Sequence, residues 1–496
     1  MATTRTNSSS SGRRGALELV AMWLVLAPAC KDEELDASEK PGANEACEPP
    51  ATADADNPCA DGLVCEPTAD GYLCAAPIEL HGQVIDAQTQ APIEGALVTA
   101  LDETGMPVAD AARTDADGHY ELSVRARRDP QGELASDVRW TLFSAAQDYA
   151  PFPGGVRSPL PVDASAPTDV QGDHDETIHV IDNPTTVVAL LPLPSAGGAI
   201  VSGRVDADLP GGTLVVAEGG PAPSPYTIAD ASGAFVIFNV PAGATTIRGY
   251  RRGLALQTAT VAGEADDVVL TATVEDEAAL AAVSGSINIV NAAGGLASSV
   301  VLVPTSVFDP ALERGPVPAG LRAPSPPEAP SVSGAFTIPG VPQGEYQVLA
   351  AFENDSLVRD PDTGISGTDL QQVTVPESGT AQVAESFKVT EALAVLGPGA
   401  DLPEAVATPP TLRWADDSSE DRYELRVLDA FGTVVWEVLD VPGVSGSDAV
   451  EVAYAGPALE PGMYYQFRAT SIRETPNKTS PISRTEDLRG VFVFQP

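Results

Sequence analysis

The sequence predicts an all-β chain, with tandem β-sandwich domains set after a signal peptide and a small disulfide-rich module. Three observations predict it. From residue 78 onward, short segments of alternating apolar and polar residues are separated by Gly, Pro and Asp turns, with no sustained helical periodicity. The 496 residues include 44 Gly, 45 Pro and only 5% aromatics. Much of the hydrophobic content is Ala and Val, which suits several small β-domains better than one large core. Four of the five cysteines fall within a single stretch of 28 residues.

The first element is an address. Arg5, Arg13 and Arg14 supply positive charge with no acidic residue before Glu18, and an uninterrupted apolar run follows from Leu19 to Ala27. Even extended to Cys30, the run would span roughly 18 Å as a helix, against about 30 Å of hydrocarbon, so it is too short for a permanent membrane span. Residues 1–29 therefore read as a signal peptide. The ending "LAPAC" resembles the lipobox of bacterial lipoproteins, which implies lipidation of Cys30 and a membrane anchor at the mature first residue. Leu26 stands four residues before Cys30 where the lipobox has three, and secretion after cleavage at "APA" is the alternative.

Residues 30–46 read as an acidic tether, and residues 47–76 as the cysteine module. Setting Cys30 aside leaves Cys47, Cys59, Cys65 and Cys74, an even set in a segment too poor in large apolar residues to build a core. Disulfides should hold it, with three connectivities open. Zinc is the competing reading, but there is no C-x2-C spacing and no histidine in the cluster. The formal charge of -43 makes nucleic acid a poor partner and keeps an exported chain soluble.

A first sandwich is expected over residues 78–195. Ile78, Leu80, Gly82 and Val84 should share one face of a strand, Ala96, Val98 and Ala100 one face of the next, and Tyr120, Leu122 and Val124 the inner face of a third after the Asp117-Gly118 turn. Gly82 to Asp86, Pro92 to Val98 and Thr114 to Tyr120 together resemble carboxypeptidase regulatory-like domains, which are prealbumin-type sandwiches. The resemblance implies a binding or spacer module and not a peptidase. The pattern returns twice, as "VSGRVDADLPGGTLVVA" with "ADASGAFVIFNVPAG" over 199–274 and as "VSGSINIV" with "SVSGAFTIPGVPQGEYQVLA" over 282–390. The third copy carries a Pro-rich insertion expected to be an extended loop, and "RRDPQGELASDVRW" in the first reads as an inserted loop. Linkers such as "TATVEDEAALAAV" suggest independent domains with few contacts between them.

Residues 404–496 differ. Trp414, the strand with Tyr423, Leu425 and Val427, and the turn Leu459-x-Pro461-Gly462-x-x-Tyr465 resemble a fibronectin type III domain. Tyr465, Phe467 and Ala469 should point inward, with Tyr464 and Gln466 facing the other way.

No catalytic constellation stands out. His174 and His179 are five apart, off the spacing of a zinc-protease pair, and "TDADG" lacks the third acid and distal Glu of a calcium loop. Neither G-x-S-x-G nor a phosphate-cradling glycine loop occurs. The chain reads as a non-enzymatic, lipid-anchored binding or scaffolding protein of the cell envelope. Its expected setting is the outer membrane, surface-exposed, with no cofactor or metal and with a protein or polysaccharide ligand. A carbohydrate-binding accessory or enzyme-associated envelope protein, which a row of exposed aromatics would favour, and a purely structural stalk are the alternatives.

Overall fold

The computed structural model describes residues 40–49, 57–136, 138–153, 159–172, 177–220, 222–290, 298–310, 314–325, 328–352, 370–390, 392–417, 419–444, 449–486 and 488–496. Among them the regular structure is β-strand, apart from three single 3-10 turns. The signal-peptide segment and Cys30 lie outside the described residues. Residues 41–496 form one compact unit.

Three successive sandwiches repeat one topology. In each, the opening strand (Ile78–Asp86, Ala199–Asp206, Ala281–Val290) pairs antiparallel with the strand after the Gly turn (His119–Val124, Ala234–Val240, Ala335–Val341). The same strand pairs in parallel with late strands: Thr177–Ile181 and Val188–Leu190, then Ala265–Val274, then Gly379–Gln382 and Phe387–Thr390. The second sheet centres on Leu97–Leu101, Leu214–Glu218 and Ser298–Pro304. Each is flanked by one short strand (Ala112–Arg113, Tyr226–Ile228, Arg322–Ala323) and one longer strand (Thr141–Ala145, Thr245–Tyr250, Gly344–Phe352).

The repeated Gly and aromatic residues have a shared physical cause. Gly82 lies opposite Tyr120, Gly203 opposite Phe235 and Gly285 opposite Phe336, and each ring lies across its glycine. A Cβ at these glycines would meet the nearest ring atom at 2.7 to 2.8 Å. The three aromatic side chains are buried, each contributing about 1.5–3 kcal/mol. At Gly82 and Gly203 a carbonyl oxygen, Thr186 O and Val268 O, also occupies the Cβ position, whereas at Gly285 only side chains approach.

Every inward position expected in the first sandwich is buried, and the alternate residues His119, Glu121 and Ser123 face solvent. The turns are capped by acids. Asp115 Oδ1 accepts the N–H groups of Asp117 and His119, and Asp230 Oδ1 accepts those of Ser232 and Ala234 at the equivalent turn of the second sandwich.

The final sandwich pairs a three-stranded sheet (Val395–Gly397, Thr411–Ala415, Ala449–Ala453) with a six-stranded one built around Arg422–Asp429 and Tyr464–Thr475. Trp414 is fully buried, edge-on to Tyr423 at 5.5 Å and 6.3 Å from Phe467. The Tyr465 hydroxyl accepts the Glu460 N–H at 2.8 Å.

Tyr464 and Gln466, which alternate with Tyr465 and Phe467, are buried as well, because that face of the strand is also covered. Three expectations need correction. The Pro-rich insertion is not simply an extended loop, since Val307, Phe308, Leu321 and Ala323 enter the third core and Arg322–Ala323 joins a sheet. Pro41 to Ala46, read as tether, pair with the cysteine module through Asn44 N to Cys74 O and an Ala46–Leu73 bridge. The sandwiches are not separate either. Leu214, Val216 and Tyr250 of the second belong to the same buried cluster as Val300, Leu302 and Tyr346 of the third.

Candidate functional site

The cysteine module is a two-stranded hairpin, Val64–Pro67 with Tyr72–Ala75. Cys65 and Cys74 face each other in register, yet each bonds elsewhere: Cys47 to Cys65 and Cys59 to Cys74. Of the three connectivities the sequence leaves open, this is the interleaved one. The sulfurs of Cys47, Cys59 and Cys65 lie within 4.8 Å of one another, but disulfide bonding removes the thiolates a metal would need.

The module is docked on the first sandwich by buried polar side chains, Glu66 and Arg128, that the sequence pattern does not single out. Glu66 is 2% exposed and its carboxylate accepts the Ala126 N–H. Burial pushes its pKa up to about 7, against the opposing pull of that hydrogen bond and of the Arg128 and Arg125 charges. Arg128, also buried, donates to Ala76 O at 2.7 Å, and its backbone N–H reaches Pro67 O at 2.8 Å. The expected inserted loop is thus the docking surface of the module. A charged residue in a loop carries no sequence signal for burial.

The histidines do not converge among the described residues. His81 Nε2 lies 2.9 Å from Glu79 and His179 Nδ1 2.8 Å from Asp169, while His119 is exposed at its turn. His174 lies outside the described residues. Asp115, the first acid of "TDADG", spends its carboxylate on backbone N–H groups. Asp86 does the same at the next turn, and the Thr89 and Gln88 N–H groups with the Tyr149 hydroxyl hold its pKa below the usual carboxylate range despite partial desolvation.

Polar chemistry concentrates where sandwiches meet. Between the first and second, Asn239 adopts a left-handed backbone (φ 61°). It accepts the Asp148 N–H at 2.7 Å and donates to Ala146 O and Tyr149 O. Asp230 Oδ2 accepts the Ala111 N–H at 3.0 Å. Between the second and third, Glu218 accepts hydroxyls from Tyr250 at 2.5 Å and Ser306 at 2.8 Å, and Arg248 lies 3.4 Å away. Tyr250 meets Tyr346 edge-on at 5.9 Å.

A cleft of about 270 Å³ opens between the first and second sandwiches, lined by Phe143, Ile228, Val236, Arg113 and Asp230 among others. Its charged groups already serve the fold, since Arg113 donates to Gly95 O and Asp230 caps a turn and holds Ala111. Exposed large apolar side chains among the described residues are aliphatic apart from Tyr72. Trp436 and Tyr454 are half-buried and meet edge-on at 5.0 Å, packed on the final core. They do not make the flat aromatic row that a sugar-binding face would present.

No protein-family model and no curated protein matches the chain. Solved structures with some likeness include the minor pilin GBS52 of Streptococcus agalactiae, at 13% identity over 38% of this chain and 95% of that one, with a TM-score of 0.18. Two B repeat units of the Staphylococcus aureus collagen binding protein match at 11% identity over 84% and 99%, with a TM-score of 0.18. The shaft pilin SpaA of Lactobacillus rhamnosus GG matches at 12% identity over 40% and 97%, with a TM-score of 0.15. Overlap this low carries no functional inference, and the reading that follows rests on this chain's own residues.

Proposed function

We propose that this chain is an exported, non-catalytic scaffolding or binding protein of the cell surface, anchored by lipid at Cys30. The observation that carries export is the pair of interleaved disulfides in a hairpin with little apolar core of its own. Such bridges form and persist in oxidising compartments. The scaffolding role is supported by where the polar side chains go. Asp115, Asp230, Asn239 and Glu218 cap turns or hold junctions instead of converging on one cleft.

We read the three repeated sandwiches as regulatory-like domains and the last as fibronectin type III-like, which the Trp414 core and the Tyr465–Glu460 hydrogen bond support. Detergent partitioning tests the anchor. The wild-type mature chain should enter the detergent phase, and Cys30→Ala should accumulate as a precursor or remain aqueous. A wild-type chain found only in the aqueous phase would remove the anchor and leave plain secretion.

A further inference from the structure

We infer that a short strap of the first sandwich, residues 159–165, is an intramolecular latch that fastens the final sandwich to the first. The two ends of the array are thereby joined across 301 residues of sequence, and breaking the strap opens the array.

The strap is fixed to its own sandwich. Val162 is buried in the first core, and its N–H donates to Trp140 O at 2.8 Å. The Asp163 N–H donates to Thr185 Oγ1 at 2.9 Å, and Asn183 Nδ2 donates to Asp163 O at 2.8 Å. Asn183 and Thr185 sit at a capped 3-10 turn, so the anchorage is itself held by local hydrogen bonds.

Its other side chains reach the final sandwich. Leu160, 7% exposed, belongs to the buried cluster of Trp414, Tyr465 and Phe492, and among the described residues is the one buried member of that cluster from outside residues 393–493. Asp163 Oδ2 accepts the hydroxyl of Tyr464, while Oδ1 accepts the Ser165 N–H. The strap therefore alternates its allegiance: Leu160 outward, Val162 inward, Asp163 outward. Tyr464 alternates along its strand with Tyr465, Phe467 and Ala469, and it is buried. Among the described residues, the Leu160 peg and the charge-assisted Tyr464–Asp163 hydrogen bond make a small contact compared with the shared core of the second and third sandwiches. A contact of that size is a reversible fastening.

The test uses the full mature chain with Leu160→Asp and, separately, Tyr464→Phe, which keeps the ring and removes only the donor. Small-angle X-ray scattering should give a larger radius of gyration for Leu160→Asp. Hydrogen exchange at Tyr464 to Gln466 should quicken about tenfold or more in both variants, the factor expected from losing a hydrogen bond to a charged group. Exchange in strand Ser298–Pro304 should stay unchanged. If Leu160→Asp loses near-ultraviolet circular dichroism, the decision passes to Tyr464→Phe. An unchanged radius in a folded Leu160→Asp chain, or unchanged exchange at Tyr464 to Gln466 in Tyr464→Phe, overturns the latch.

Discussion

Two junctions in this chain use equivalent sheets and differ in kind. Between the second and third sandwiches, strand Leu214–Glu218 is buried on both faces. Val215 and Ala217 enter the core of their own sandwich, and Leu214 and Val216 enter that of the third. Between the first and second, the equivalent strand Leu97–Leu101 sends Val98 and Ala100 inward, but Leu97 and Leu101 are only partly covered, beside Phe143, Ala145 and Phe238. The remaining hold comes from polar pins at Asn239 and Asp230. The difference lies in the residues. "LVVA" at Leu214 to Ala217 is an unbroken apolar run, as doubly buried strands are, whereas "LVTAL" is interrupted by Thr99, whose hydroxyl donates to Ala109 O. One junction is a shared core, and the other is a small apolar cluster around Phe143 and Phe238 reinforced by hydrogen bonds.

The contrast predicts graded consequences. Trp414→Ala should have the largest effect, about 3–5 kcal/mol. Because, among the described residues, its buried cluster draws only Leu160 from elsewhere, the loss should stay with the final sandwich, as one calorimetric transition moved down and the rest in place. A uniform shift of all transitions would place that sandwich with the shared-core class.

The Glu66 docking of the cysteine module is polar and should depend on pH. Its folded pKa of about 7 lies above the ordinary carboxyl value of 4.5, so the folded state holds a proton the unfolded state has released. Stability is therefore greatest below about pH 4.5 for this group and falls as pH rises through about 7, by on the order of 1–3 kcal/mol. Glu66→Gln keeps an acceptor for the Ala126 N–H and should flatten that dependence in denaturant titrations at pH 5 and pH 8. An unaltered pH slope would mean that Glu66 does not carry it.

Asn239→Ala should have the smallest effect, about 1–2 kcal/mol, from lost hydrogen bonds and a left-handed backbone that Ala tolerates poorly. Asn239→Gly relieves the backbone and not the bonds, so comparing their melting temperatures separates the two causes. Equal stability of Asn239→Ala and wild type would show that the polar pins do not hold this junction.

Much of this fold is legible in the sequence. Alternation placed Ile78, Leu80, Tyr120, Leu122, Tyr423 and Leu425 inward, and each is buried, because a period of two leaves little choice once one face must be dry. The order shared by residues 78–125, 199–274 and 282–390 marks three copies, and in each the opening strand keeps a glycine where the buried ring opposite leaves no room for a Cβ. What stayed hidden was contact between sandwiches. Tyr464 carries the same pattern whether its face meets water or Asp163, and Glu66 reads as a solvated acid until a loop some sixty residues away covers it. The unbroken run at Leu214 to Ala217 was the available signal of a strand buried on both faces, and it could have been read that way.

The shared core of the second and third sandwiches is tested most directly by hydrogen exchange of Tyr250→Ala. Tyr250 packs on Tyr346 of the third sandwich while donating to Glu218 of its own. If the two sandwiches form one cooperative unit, protection should fall together and by similar factors in Leu214–Glu218 and in Ser298–Pro304, with Leu97–Leu101 little changed. Loss of protection confined to the second sandwich, with Ser298–Pro304 at its wild-type rate, would contradict the shared core and return the chain to a string of independent domains.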